Sequence, residues 1–177
     1  MTDLDHLLDE LLGAADTSEL GSRSLEDLRL VRDRLNSVEL GLSYGRRMAQ
    51  GRLDIITCEL ERRAGAPTTD DLLGRLPEVL ARQNRGEGMP RPVRDGELPE
   101  FADVIVADLD RLVLPTELAG VTDLSDERLA EITGRLGEVE SGISTKRHEV
   151  HRLIDEVQEE IVSRYRSGAA SVDDLLR

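Results

Sequence analysis

The chain is nearly devoid of aromatic residues. Phe101, Tyr44 and Tyr165 are the only three among 177, and tryptophan is absent. Large compact cores usually draw on aromatic volume, so an extended helical shape packed by Leu, Val and Ile is expected instead. Cys58 is alone, which excludes a disulfide framework or a cysteine metal site within one chain; it reads as a small interfacial residue. Lysine is almost missing, with Lys146 the only one. The basic charge is carried by Arg, which suits planar, bidentate recognition better than Lys. No apolar run approaches the roughly 18 residues needed to span a bilayer. The N-terminus is acidic, with no basic stretch followed by an apolar run. No secretory signal is read from it, and the expected address is the cytoplasm. The formal net charge of −14 argues against nonspecific binding to DNA or RNA phosphates. It leaves room for a basic protein partner.

What is present is a polar pattern that occurs twice. Glu39, Ser43, Arg46, Gln50 and Asp54 follow E-x3-S-x2-R-x3-Q-x3-D, and Glu140, Ser144, Arg147, His151 and Asp155 follow the same spacing with His for Gln. At about 100° per residue, each set falls within a narrow arc of a helix, more than three turns long and free of apolar residues. One such stripe is an ordinary solvated face or a salt-bridge ladder at i,i+3 and i,i+4 spacings. Two point to a ligand.

The repeat is wider than the stripe. Residues 24–63 align without a gap on residues 125–164, which marks an internal duplication. Four of the five stripe positions are identical, against nine of the other thirty-five. A plain duplication preserves its core best and lets surface polar residues drift. Here the polar face is the better preserved part.

Both copies read as long helices. Ser24 and Ser125 are N-cap candidates followed by acids in the first turn. Leu28, Val31, Leu35, Val38, Leu42, Ala49, Leu53, Ile56 and Leu60 form a coiled-coil seam, with Gly45 in one slot and a phase drift between Ala49 and Leu53. Leu129, Ile132, Leu136, Val139, Ile143, Val150, Leu153, Val157 and Ile161 form the second. Gly65 with Pro67 ends the first helix, and Gly168 marks the end of the second. All six prolines lie between residues 67 and 115. The expected fold is therefore all-α: a long antiparallel coiled-coil helical hairpin with short accessory helices, although the connector is long enough to permit a parallel pair. The expected divisions are an N-terminal acidic helix and break (1–23), a first motif helix (24–64), a connector with short helices (65–124), a second motif helix (125–167) and a tail (168–177). Within these, residues 2–13, 70–80 and 101–114 are helix candidates, and 84–100 is a Pro/Gly-rich centre. The seams lie about 100° from the stripes, so packing them together is expected to leave both stripes exposed. Gly41 and Gly142, matched inside the helices, suggest a close approach to the backbone there.

The chemistry of the stripe fits a ligand carrying both guanines and phosphates. A carboxylate accepts two hydrogen bonds side by side, matching the N1–H and 2-amino donors of guanine. The Arg fork fits guanine O6 and N7 and also phosphate. Ser, Gln and neutral His can complete the shell. Arg47, Arg52, Lys146 and Arg152 add positive charge nearby. His148 and His6 read as surface residues. No nucleophile–base pair or metal-ligand spacing is evident: Ser144 and His151 share a face but stand about 10 Å apart.

The doubled pattern on a helical hairpin resembles the signature of the RsiG family of actinobacterial anti-sigma factors. The resemblance is carried by residues 24–63 and 125–164. It implies that the two helices are antiparallel and together hold cyclic di-GMP, two molecules of it. It also implies that the loaded protein sequesters a WhiG-like sporulation sigma factor; no direct DNA binding, membrane association or catalysis is expected from the charge, the apolar runs and the lack of a catalytic constellation. Under that resemblance Arg46 and Arg147 are expected on phosphate or guanine, Glu39, Glu140, Asp54 and Asp155 on guanine edges, and Ser43 and Ser144 on phosphate or ribose. Gln50 and His151 would complete the set. His151 departs from the pattern, and an imidazole brings pH sensitivity near its unperturbed pKa of about 6.5. The competing reading is a ligand-independent coiled-coil adaptor.

Overall fold

The computed structural model of the chain describes residues 19–65 and 98–168, together with His6, Glu10 and Gly13. The expected helices at 2–13 and 70–80, the Pro/Gly-rich centre up to residue 97 and the tail from 169 lie outside the described residues, those three positions excepted.

Two long helices dominate. The first, α1, spans Leu25–Arg63. Its N-terminus is held by a capping box: Ser24 Oγ accepts from the Asp27 N–H at 3.0 Å, and Asp27 takes the Ser24 N–H in return at 3.3 Å. This satisfies donors that the first helical turn leaves unpaired. The second long helix, here α4, spans Asp126–Arg166 and starts from Ser125, whose Oγ accepts from the Arg128 N–H. Gly65 and Gly168, both at positive φ, follow the two C-termini, where glycine takes a left-handed backbone without a Cβ penalty. Between them lie α2, Phe101–Leu112, and the single turn α3, Pro115–Ala119.

α1 and α4 pack as an antiparallel hairpin. Arg63, at the end of α1, pairs with Asp126 at the start of α4. Arg29, near the start of α1, donates to the Tyr165 hydroxyl near the end of α4. The seam is a strict seven-residue repeat. Leu28, Leu35, Leu42, Ala49 and Ile56 are buried on α1, facing Leu129, Leu136, Ile143, Val150 and Val157 on α4. Each fully buried Leu or Ile contributes about 1.5–3 kcal/mol of apolar transfer. The expected phase drift after Ala49 does not occur. The second seam slot continues through Val31, Val38, Gly45, Arg52 and Glu59, with the polar pair Arg52 and Glu59 held by ion pairs rather than by apolar packing.

α2 lies alongside α1 in a parallel sense. Phe101 is placed over Gly41 and Ile105 over Gly45, where an added Cβ would come within 2.6 Å of Ile105 Cγ2. Asp110 pairs with Arg52, and Ile105, Leu109 and Val113 enter the common core. The close approach expected at the matched glycines thus holds for Gly41 alone. A Cβ at Gly142 would meet nothing within 4 Å among the described residues. Cys58 is exposed, which corrects its reading as an interfacial residue. It lies two residues beyond Ile56, on the far side of the helix from the seam.

The duplication reaches further back than the sequence identities. Arg63 donates to the carbonyls of Thr122 and Leu124 at 3.0 and 2.8 Å and, more weakly, Val121. Arg164 donates to the carbonyls of Leu20, Gly21 and Arg23. Each pair of acceptors has the same offset as the helical repeat, and each Arg is braced by its own Glu, Glu59 or Glu160. The repeated unit is therefore a 3-10 turn (Leu20–Ser22 or Val121–Asp123), a serine cap, a long helix and a Glu–Arg latch. Each latch grips the turn that opens the other unit.

Candidate ligand-binding face

The stripe positions Glu39 and Arg46 immediately follow the seam residues Val38 and Gly45, so they flank the interface instead of pointing away from it. The same holds for Glu140 and Arg147 after Val139 and Lys146. In an antiparallel pair these flanking positions meet across the helices. The stripes are therefore half-buried and interlocked, which corrects the expectation of two separate exposed faces.

The interlock is reciprocal. Arg147 Nε–H is shared between Glu39 Oε1 at 3.1 Å and Ser43 Oγ at 2.9 Å. Arg46 Nε–H is shared between Glu140 Oε1 at 2.9 Å and Ser144 Oγ at 3.0 Å. Each serine donates its hydroxyl to the glutamate one turn before it, Ser43 to Glu39 at 2.7 Å and Ser144 to Glu140 at 3.1 Å. The fourth position closes each set. Gln50 Nε2 donates to Glu140 Oε1 at 3.2 Å, and His151 Nε2 lies 3.4 Å from Glu39 Oε1. Eight of the ten stripe residues thus form two matching half-networks about a pseudo-twofold axis between the helices. Asp54 and Asp155, at the two ends, are exposed.

The two half-networks differ at one position, His151 in one and Gln50 in the other. Burial alone pushes the Glu39 carboxyl up. The Ser43 hydroxyl, the Arg147 guanidinium and the charge of His151 together bring it below the usual carboxylate range. Glu39 is therefore an anion that organises the donors around it. The opposite half has the neutral Gln50 where His151 stands.

Only Nε of each arginine is engaged. A guanidinium carries five N–H donors, and the terminal nitrogens of Arg46 and Arg147 make no hydrogen bond among the described residues. Their side chains remain 36% and 28% exposed. Each guanidinium is thus anchored at one corner, with its fork available to an anion or to the O6/N7 edge of guanine. α2 does not cover this face: it contacts α1 at Gly41 and Gly45, on the opposite flank of Leu42 from Ser43. The nearby Arg52 is consumed by Asp110 and the Met48 carbonyl, so it is not one of the charges available to the stripe. Arg152 pairs with Glu156 on its own helix.

Among the described residues no cluster of three His, Cys, Asp or Glu side chains could hold a metal ion. Nor is any described helix long and apolar enough to cross a membrane.

A family model described as RsiG-like matches residues 14–80. Over that stretch the chain is similar to the RsiG-like family. The matched stretch is shorter than half the sequence and contains the first stripe, Glu39 to Asp54, while the second stripe is outside it. A search of curated proteins finds no match. That likeness suggests an anti-sigma-factor role and, with it, a sigma factor as partner.

Sequence reasoning missed the latches Arg63 and Arg164, although both were among the identical pairs of the repeat. The signal was there: Glu59/Arg63 and Glu160/Arg164 are conserved between the copies beyond the stripe.

Proposed function

We propose that this chain is an anti-sigma factor whose grip on its sigma factor depends on cyclic di-GMP, held across the two stripes. The observation that carries the reading is the pair of arginines, each anchored through Nε by the other helix's Glu and Ser, with both side chains partly exposed on a face that no other described element covers. Each half-site, one fork and one terminal aspartate, offers groups for a phosphate and for a guanine edge of one ligand molecule. Arg46 and Arg147 take phosphate or the guanine O6/N7 edge. Asp54 and Asp155 accept from guanine N1–H and the 2-amino group. Glu39 and Glu140, committed to the arginines, act chiefly by aiming them, and Ser43 and Ser144 share that task. Two ligand molecules are the expected load. The ligand would contribute surface to a complex with a WhiG-like sporulation sigma factor, so ligand and partner bind with positive linkage.

The test is calorimetric titration with cyclic di-GMP, with GTP and cyclic di-AMP as controls, in the absence and presence of a WhiG-like sigma factor. Selective, saturable binding near two ligands per chain is expected. It should be lost in Arg46→Ala and Arg147→Ala while helicity by circular dichroism is retained.

One observation favours a second reading. The stripe residues satisfy one another within the hairpin, as the salt-bridged face of a ligand-independent coiled-coil adaptor would. That reading predicts tight sigma-factor binding that is indifferent to cyclic di-GMP and to either arginine substitution.

A further inference from the structure

Asn36 lies one turn before Glu39 on α1, at the same place in the seven-residue repeat as Ser43 and Gln50. Residues seven apart stack in one row along a coiled-coil helix, so Asn36 extends the stripe by a turn. The antiparallel register sets its level on the facing helix. His151 meets Glu39, and one turn further along α4 is Asp155. Ser43 and Gln50 in this row are hydrogen-bonded. Asn36 Nδ2 is buried and has no acceptor among the described residues. A buried donor left unpaired is costly, and nothing in the hairpin seam requires an amide here. The matching row on α4 is Gly137, Ser144 and His151, so the repeat partner of Asn36 has no side chain. A Cβ at Gly137 would meet nothing within 4 Å among the described residues. The two half-sites share their Glu, Ser and Arg but differ at their ends: Asn36 stands at the Asp155 end and Gly137 at the Asp54 end.

We propose that Asn36 is a further ligand-contacting residue of the stripe, donating its amide N–H to a phosphate or guanine acceptor, and that it makes the Asp155 half-site the tighter of the two. The inference rests on the stripes being the cyclic di-GMP site. The orphaned donor reaches the ligand by rotation of the Asn36 amide, which turns the buried Nδ2 outward, and a neutral hydrogen bond gained on binding corresponds to roughly a two- to tenfold change in affinity.

The test compares the full chain with Asn36→Ala and Gly137→Asn, by calorimetry with cyclic di-GMP and by thermal melts with and without it. Asn36→Ala should weaken the tighter binding event about two- to tenfold. Its unliganded melting temperature should hold or rise, because the substitution removes an unpaired donor and Ala favours the helix. Gly137→Asn should tighten the weaker event and bring the two closer together. Wild-type affinity in Asn36→Ala, or a lower unliganded melting temperature, would overturn the inference. If the wild-type chain itself shows no selective binding, the stripe reading fails and this inference with it. If Arg46→Ala abolishes binding while Asn36→Ala leaves it unchanged, only the role of Asn36 is lost.

Discussion

Three helical glycines make a direct test of the packing, because the same substitution should have opposite signs where α2 docks, at Gly45 and Gly41, and where no described element does, at Gly142. Gly142 is exposed in the interior of α4 and a Cβ there meets nothing within 4 Å among the described residues. Gly142→Ala removes the backbone entropy cost of a helical glycine and should stabilise by about 0.5–1 kcal/mol. On α1 the same gain is opposed by α2. At Gly45 a new Cβ would lie 2.6 Å from Ile105 Cγ2, 3.1 Å from its Cδ1 and 3.4 Å from its Cβ. Ile105 is fully buried and β-branched, so it has few rotamers with which to yield. Overpacking of this kind costs about 1–3 kcal/mol. Gly45→Ala should therefore destabilise by roughly 0.5–2 kcal/mol net. Gly41→Ala meets the far end of the half-buried Phe101 ring, which can swing aside, so its cost should be the smaller of the two. Urea denaturation of the three variants, with unchanged m-values as the check on two-state behaviour, reads these differences. If Gly45→Ala stabilises as much as Gly142→Ala does, α2 does not dock on that face and the account of the three-helix packing is wrong.

Acid should loosen the Arg63 latch. Glu59, 4% exposed, has its carboxyl lowered to about 2 by hydrogen bonds from Arg62 and Arg63. Because the folded value is depressed, its contribution is complete above the ordinary carboxylate pKa of about 4.5 and is lost as pH falls towards 2. Melting temperature should decline across that window and do so less steeply in Glu59→Gln. The latches also predict a crossed pattern in hydrogen exchange: Arg63→Ala should expose amides around residues 121–126, and Arg164→Ala those around residues 20–25, with no effect in that crossed sense counting against the repeated unit. Arg46→Ala should cost less than about 1 kcal/mol of unliganded stability, the scale of a partly exposed ion pair, yet abolish cyclic di-GMP binding; a large loss of helicity would make the stripe structural instead.

Much of the architecture was legible in the chain. Seven-residue spacing of Leu, Ile and Val, serine caps before acidic turns and a glycine after each long helix are local signals, and local signals determine helices. The stripes were legible for the same reason, since a helical arc is set by spacing alone. The duplication stood out because polar identity was kept where a solvated face would have drifted. What spacing could not say is where the two arcs point once the seams close. That depends on antiparallel register, which sets Arg46 against Glu140 and Ser144 and places both stripes beside the interface instead of far from it. Nor could the sequence say which glycine was crowded. Gly41 and Gly142 are equivalent along the chain, and only the docking of α2 on one side of the hairpin distinguishes them. The same holds for Asn36, an ordinary polar residue in a list and a buried, unpaired donor once the helices are packed. Sequence by itself determined the elements and the chemical character of their faces; tertiary structure decided which faces meet, because side-chain partners 94 to 108 residues apart are chosen by packing and register, not by any local preference.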